Sequence, residues 1–184
     1  MTSYIIFIRG INVGGKNKVS MAELKVCLEK LGYTTVSSYI NSGNIILTSH
    51  HNATYIKNEV ERILPQNFSL DDELIKVLVV SQQQLEAVVL NKPSHFGEQP
   101  DIYHSDVIFL IDIPTSEAMR VFSPREGVDA IWQGEGVIYS QRLSAERTKS
   151  RLNKIMGSPL YKSMTVRNWN TTTKLLHILD NQER

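Results

Sequence analysis

The chain has 184 residues, of which 41% are hydrophobic and 21% charged, with a net charge of +1. These values fit one globular domain, or two small halves packed together, and exclude collagen-like and disordered chains. The sequence has no apolar run of about 18 residues, no signal peptide pattern and a single cysteine, Cys27, so we predict a cytoplasmic protein without disulfides or a membrane span.

Strand patterns dominate the first 80 residues. Segments rich in β-branched and aromatic residues predict four strands, at residues 4–9, 35–40, 44–48 and 74–80. The middle two strands are separated by Asn41-Ser42-Gly43, which is typical of a hairpin turn.

Two helices are predicted between these strands. The first begins at the capping box formed by Ser20 and Glu23 and ends at Gly32. The second runs from about Ala53 to Leu64 and is followed by Pro65. The resulting order, β-α-β-β-α-β, predicts a ferredoxin-like half, with a four-stranded sheet backed by two helices.

The second half partly repeats this order. Its predicted elements are a helix at 81–90, a strand at 106–112, a short helix at 115–122 capped by Thr115 or Ser116, strands at 128–132 and 136–140 around Gln133-Gly134-Glu135, a basic helix at 144–156 and a last helix at 170–179. We therefore predict an α+β fold made of duplicated ferredoxin-like βαββα(β) halves, residues 1–80 and 81–184, packed into one compact unit.

Charge is distributed unevenly along the chain. Residues 1–60 carry a net charge of +3, residues 61–140 a net −8, and residues 141–184 a net +6. Two interpretations stay open: the basic ends pair with the acidic middle, or they converge on an anionic ligand.

The segment RGINVGGKNK, residues 9–18, is the first candidate for an anion site. Its glycines let the backbone approach a ligand closely, and consecutive N–H groups in such loops can bind anions. No acid occurs between Arg9 and Ala22. A P-loop is not favoured, because Asn17 replaces the required Ser or Thr and the helix starts only at Ser20. The alternative is a tight structural loop.

Two further segments add polar and aromatic groups. One is INSGN, residues 40–44, which is either a plain turn or a source of amide and hydroxyl ligands. The other is TVRNWNTTTK, residues 165–174, in which Asn170 or Thr171 caps a helix or the segment receives a phosphate with a stacked base or sugar. The predicted ligand-binding residues are Arg9, Asn12, Lys16, Asn17, Lys18, Ser42, Asn44, Arg167, Asn168, Trp169 and Lys174.

One further basic stretch is a candidate for contact with an anion. Basic residues in the stretch 147–154 form a solvated face or contact phosphate. No metal motif or catalytic motif is present, so no cofactor and no metal are expected. The acidic residues concentrate in the middle, which we expect to lie away from the anion site.

Three motifs together, IRGINVGGKNKVSMAELK, YINSGNIIL and TVRNWNTTTKLL, resemble a bacterial family known only as domain of unknown function 1697. Ser20 stands where that family often has Pro, and both suit a helix start. The resemblance covers about residues 3–180, is poor over about 92–130, and implies a duplicated ferredoxin-like fold without an activity or catalytic residues to transfer.

Two functions of different class remain. The first is a module that binds a phosphorylated small molecule or a nucleic acid through the basic segments. The second is an enzyme acting on a small phosphorylated or anionic metabolite, with an acid or histidine from the middle region doing the chemistry. A purely structural or protein-binding role is a third possibility, and the oligomeric state does not follow from the sequence.

Overall fold

The protein, described here by a computed structural model over residues 1–72 and 74–182, divides into two compact units. The first comprises Met1–Leu85 with the C-terminal turns from Leu175 onward, and the second comprises Glu86–Lys174. The predicted halves, 1–80 and 81–184, include residue 73 and residues 183–184, which lie outside the described residues. Their boundary stays a prediction.

The first unit is a four-stranded antiparallel sheet in the order β2-β3-β1-β4, with two helices packed on one face. Its elements are β1 (Thr2–Ile8), α1 (Met21–Lys30), β2 (Thr34–Ser38), β3 (Asn44–Ser49), α2 (Ala53–Asn67) and β4 (Val77–Ser81). Successive residues Ile5 and Ile6 of β1 point to opposite faces, and both are fully buried. Burial on both faces explains why β1 is a continuous apolar run.

The second unit contains a similar antiparallel sheet in the order β6-β7-β5-β8. Its elements are β5 (Tyr103–Leu110), α4 (Thr115–Met119), β6 (Asp129–Gln133), β7 (Val137–Leu143) and β8 (Met164–Asn168). Ile108 and Ile138 of the sheet form a core with Leu152 and Ile155 of the segment before β8. Two helices contain the points where the chain passes between units, α3 (Gln82–Leu90) and α5 (Trp169–Gln182).

The predicted α+β class with two similar halves is confirmed. Two local sequence patterns in the first half correctly predicted a helix cap and a turn. Ser20 caps α1 by accepting a hydrogen bond from Glu23 N at 3.3 Å, and the Asn41–Gly43 turn joins β2 to β3. Both signals depend on residues at most three positions apart, so the local sequence is sufficient to specify them.

The predicted basic helix at 144–156 is wrong. The chain forms three 3₁₀ segments instead, Ser144–Lys149, Leu152–Gly157 and Pro159–Ser163. A helix cannot run through because Ser150 is extended (φ −60°, ψ 142°) and Asp129 Oδ2 accepts a hydrogen bond from Arg151 N at 2.8 Å. No strand was predicted between this helix and the last one, but that segment contains strand β8.

Two helix ends also differ from prediction. Pro65 lies inside α2 rather than after it; the Asn67 side chain donates to Ile63 O at 2.8 Å, which satisfies a carbonyl in the last turn. Pro114 occupies the N-cap position of α4 without a side-chain hydrogen bond, so neither Thr115 nor Ser116 caps it. Proline is compatible with this position because the backbone there is extended (φ −72°, ψ 146°) and this φ lies within the range that the proline ring allows.

Candidate functional site

The first candidate segment forms an exposed loop between β1 and α1, which we call the glycine loop (residues 9–19). Five of its residues have positive φ, namely Gly10, Asn12, Gly14, Gly15 and Asn17. Gly14 and Gly15 form its tip, which Lys16 N closes by donating to Val13 O at 3.1 Å. Positive φ at both central residues is typical of a type I′ turn, which favours glycine.

Asn12 holds the base of the glycine loop. Its Oδ1 accepts from Val19 N at 2.9 Å, and its Nδ2 donates to Val19 O and to Asn41 O, each at 2.9 Å. The last of these contacts brings the glycine loop against the second candidate segment. The Asn12 amide therefore serves the fold of the loop.

Asn17 holds the other side of the loop and is almost fully buried. Its Oδ1 accepts from Asp71 N at 2.9 Å and Asp72 N at 3.1 Å, while its Nδ2 donates to Gly10 O at 3.1 Å and Asp72 Oδ2 at 2.6 Å. Asn17 N also donates to Asp71 Oδ2 at 2.6 Å. The expectation that the acidic middle lies away from this loop is therefore wrong for Asp71 and Asp72. β4 pairs with β1, which brings the chain before β4 to the loop.

The second candidate segment makes a turn beside the glycine loop, in which Ile40 and Asn41 are exposed and Gly43 and Asn44 are buried. Gly43 (φ +79°) accepts from Ile8 N through its carbonyl at 2.8 Å. The Asn44 side chain is fully buried, and its Nδ2 donates to Tyr39 O and Ser42 Oγ, each at 3.0 Å. Asn44 and Ser42 thus have structural partners, and their contact with a ligand stays a prediction.

The cationic residues of the glycine loop differ in exposure. Lys16 and Lys18 are exposed, and Arg9 is half-buried. Within the part of the chain that the structure describes, the N–H groups of Gly14 and Gly15 donate to no acceptor. The tip therefore carries two backbone donors, and the two exposed lysines follow Gly15 by one and three positions.

Arg167, in the third segment, lies in β8 of the second unit and is only 8% exposed. Its Nη1 donates to Thr165 Oγ1 at 3.0 Å and to Val166 O at 2.9 Å. Burial lowers the pKa of its guanidinium to about 10, because removal from water disfavours the charged form.

The rest of the third segment starts helix α5. Asn168 Oδ1 accepts from Asn170 N at 2.9 Å and so caps the helix, where Asn170 or Thr171 was expected. Trp169 is buried with its ring 5.2 Å from that of Phe96, edge to face. Lys174 is exposed at the end of the unit. Ligand contact by these residues stays a prediction, as does the meeting of all three segments.

A histidine and an aspartate that the sequence did not single out lie next to Asn168. His104 Nε2 lies 3.0 Å from Asp106 Oδ2, and Asp106 pairs with Asn168 across β5 and β8. Burial raises the pKa of Asp106, an effect opposed by His104, Arg142 and a hydrogen bond from Asn168. The spacing of two residues on a strand puts both side chains on one face, which is the signal that could have revealed the pair.

His104 of this pair lines a small polar cavity of about 120 Å³. The cavity is lined by Gly97, Pro100, Tyr103, His104, Ser105, Asn168, Trp169 and Asn170. Ser105 is 94% buried, and its Oγ has no hydrogen-bond partner among the described residues. The arrangement can hold a small polar group next to an acid–base pair.

Residues 1–72 and 74–182 contain neither a candidate metal cluster nor a candidate membrane-spanning helix. In this part of the chain no three His, Cys, Asp or Glu side chains are grouped so that they could share a metal ion. None of the helices in the same residues is long and apolar enough to cross a membrane.

Comparisons with known proteins identify relatives but no activity. The family described as "Protein of unknown function (DUF1697)" matches residues 1–139. This match runs through 92–130, where a poor match was expected, and it does not reach the third candidate segment. The conserved bacterial protein SP0830 from Streptococcus pneumoniae is similar in structure, with a TM-score of 0.83 and 30% identity over 97% of this chain and 98% of that chain. No curated protein sequence matches this chain.

Proposed function

The chain belongs to the DUF1697 family, whose function is unknown, and we propose that its glycine loop binds a phosphate group of a small molecule or nucleic acid. The observation that carries this proposal is the exposed tip, in which the N–H groups of Gly14 and Gly15 have no acceptor among the described residues and the exposed Lys16 and Lys18 follow within three positions. Backbone N–H groups in loops of this kind, supplemented by ammonium groups, are suited to phosphate oxygens.

The base of the glycine loop supports the same proposal. The amides of Asn12 and Asn17 hydrogen-bond the loop to Val19, Asn41 and the Asp71–Asp72 backbone. A loop that is already held in shape loses little conformational freedom when it binds, which favours affinity. In this proposal the asparagines shape the loop, and the lysines and glycines contact the phosphate.

A thermal-shift series tests the proposal. Inorganic phosphate, nucleotides, sugar phosphates and short oligonucleotides are added to the whole protein, where a ligand at 100 times its Kd adds about 2.7 kcal/mol of stability. We expect at least one phosphate compound to raise the Tm, and Lys16→Ala/Lys18→Ala to abolish the rise. The control, Lys25→Ala/Lys30→Ala, removes the same charge from exposed positions on α1.

The outcome also separates small ligands from nucleic acid. If an oligonucleotide is the ligand, log K falls as log salt rises. The magnitude of this negative slope should decrease by roughly 1.5 in the Lys16/Lys18 variant, because two phosphate contacts are lost. A Tm that no phosphate compound changes, or a shift equally lost in both double variants, would overturn the proposal.

The second candidate is an enzyme acting on a small phosphorylated or anionic metabolite, favoured by the His104–Asp106 pair beside the polar cavity. A histidine oriented by a carboxylate can act as a general acid or base. Phosphate release from nucleotides and sugar phosphates is the assay. We expect His104→Gln to abolish turnover and His50→Gln, at an exposed histidine, to preserve it. Absence of turnover by the wild type excludes phosphate release as the reaction.

We also propose that the two halves descend from one ferredoxin-like unit. The strand orders β2-β3-β1-β4 and β6-β7-β5-β8 are equivalent, and the first half follows β-α-β-β-α-β. In the second half, the three 3₁₀ segments occupy the place of the second helix.

The single free cysteine, Cys27, is consistent with the cytoplasmic location that we propose.

A further inference from the structure

The second unit contains a larger cavity that neither candidate function uses. It has a volume of about 540 Å³, within the range of small-molecule sites, and opens beside β6 and β7. Part of its lining comes from the segment before β5, namely Ser94, His95 and Gln99, and part comes from residues in and around β6 and β7, namely Gly127–Ala130, Trp132, Gln141 and Leu143. A cavity of this volume can accept a ligand with one or two rings.

Gln141 is the polar group that points to a ligand. Its residue is only 7% exposed, yet it lines the cavity. Among the described residues, its side-chain amide neither donates nor accepts a hydrogen bond. Because Gln141 lines the cavity, the hydrogen-bonding groups of this amide are available to a ligand, which would replace their hydrogen bonds to water.

The other walls define the chemistry of that ligand. Trp132 and Tyr103 provide aromatic surfaces, and Leu143 adds an apolar one. Trp132 is held by an edge-to-face contact with Phe96, with ring centroids 6.0 Å apart. The cavity lining contains no lysine or arginine. It does contain the Asp129 carboxylate, whose Oδ2 accepts from the N–H groups of Arg125 and Arg151 and whose Oδ1 has no hydrogen-bond partner among the described residues. A flat ligand without negative charge therefore fits these walls better than a phosphate does.

We infer that this cavity binds a planar heterocycle of the nucleobase class, with the Gln141 amide pairing with an edge that has a hydrogen-bond donor next to an acceptor. The amide oxygen accepts from the ring substituent while the amide NH₂ donates to the ring nitrogen or carbonyl, as glutamine does with adenine. The aromatic walls supply the stacking surface that bases use on proteins.

Titration of the whole protein with adenosine, cytidine, guanosine, uridine and methyl glucoside tests the inference, with Trp fluorescence as the signal. We expect at least one nucleoside to give a saturable change and methyl glucoside to give none. Gln141→Met, which keeps the length of the side chain but removes the amide, should weaken binding at least tenfold. Gln133→Met, at an exposed glutamine in β6, should leave binding unchanged.

A second variant tests the pairing itself. At pH 8 a Glu at position 141 can only accept hydrogen bonds, so Gln141→Glu should shift preference toward guanosine, whose edge offers two adjacent donors. This change in preference would not follow from a merely structural role. No saturable change with any nucleoside, binding of methyl glucoside alone, or full affinity in a folded Gln141→Met variant would overturn the inference.

Discussion

The side chain of Asn17 and residue Asp72 are joined by two hydrogen bonds, one from Asn17 Nδ2 to Asp72 Oδ2 at 2.6 Å and one from Asp72 N to Asn17 Oδ1 at 3.1 Å. An amide side chain is needed for both, because it donates and accepts at once. A carboxylate in its place keeps the acceptor, loses the donor and adds a negative charge beside Asp71 and Asp72.

We therefore expect Asn17→Asp to lower the free energy of unfolding by about 3 kcal/mol, measured by urea denaturation. Asp tolerates the left-handed backbone at this position (φ 47°) nearly as well as Asn, so the loss reports the hydrogen bonds and the charge. Added salt should restore part of the loss by screening the carboxylates. Asn91→Asp, at an exposed position after α3, is the control, and equal losses in both variants would contradict the prediction.

Gly97 tests whether Trp169 is a packing residue. A Cβ at Gly97 (φ +74°) would overlap the indole ring of Trp169 at Cδ1 and Nε1, whereas at Gly127 (φ +72°) it would meet nothing within 4 Å. Both Gly→Ala variants bear the cost of a left-handed backbone. We expect Gly97→Ala to be less stable than Gly127→Ala by about 1–3 kcal/mol, measured by thermal denaturation. Equal stability would show that the Trp169 ring moves freely.

Local patterns in the sequence predicted the elements that depend on near neighbours. The Ser20 cap, the Asn41–Gly43 turn and the apolar strands were placed within a few residues. β8 was missed because Arg167 interrupts its apolar pattern, and its strand conformation comes from pairing with β5, about 60 residues earlier. Long-range pairing of this kind overrides local propensity.

The candidate site shows the same division. Glycine content predicted a tight loop at residues 10–17, and five residues there do have positive φ. The sequence could not predict that Asp71 and Asp72 meet Asn17, because the contact spans 54 and 55 positions. Gln141 and the His104–Asp106 pair were also missed, since their role depends on which strand face is covered and where a cavity remains.

Tyr139 makes a buried hydrogen bond that should be measurable in stability. Its hydroxyl donates to Val88 O at 2.6 Å, and burial raises the pKa of this hydroxyl. Tyr139→Phe leaves the Val88 carbonyl without this donor, so we expect the free energy of unfolding to fall by about 1–3 kcal/mol. Tyr55→Phe, at an exposed tyrosine of α2, should cost less than about 0.5 kcal/mol, and a similar loss in both variants would contradict the prediction.

The burial of Arg167 should make the free energy of unfolding depend on pH. Burial lowers its pKa to about 10, below the ordinary value of an arginine, so the folded state holds this proton less tightly than the unfolded state does. The free energy of unfolding therefore rises with pH only above this lowered pKa, where the folded state loses the proton before the unfolded state does. Below about pH 9, the arginine stays charged in both the folded and the unfolded state, so it does not change the free energy of unfolding with pH.

A lysine at this position behaves differently. The ordinary pKa of lysine is about 10.4, and burial lowers this pKa in the folded state. The pH range over which the free energy of unfolding changes therefore lies lower for lysine than for arginine. We expect Arg167→Lys to be less stable than wild type at pH 7, because the two Nη1 hydrogen bonds require the guanidinium geometry. The deficit should shrink as pH rises from about 7 to 10, as measured by urea denaturation at each pH. For Arg147→Lys, at an exposed position, the free energy of unfolding should depend on pH in the same way as for wild type. The same dependence for Arg167→Lys would show that position 167 is open to water.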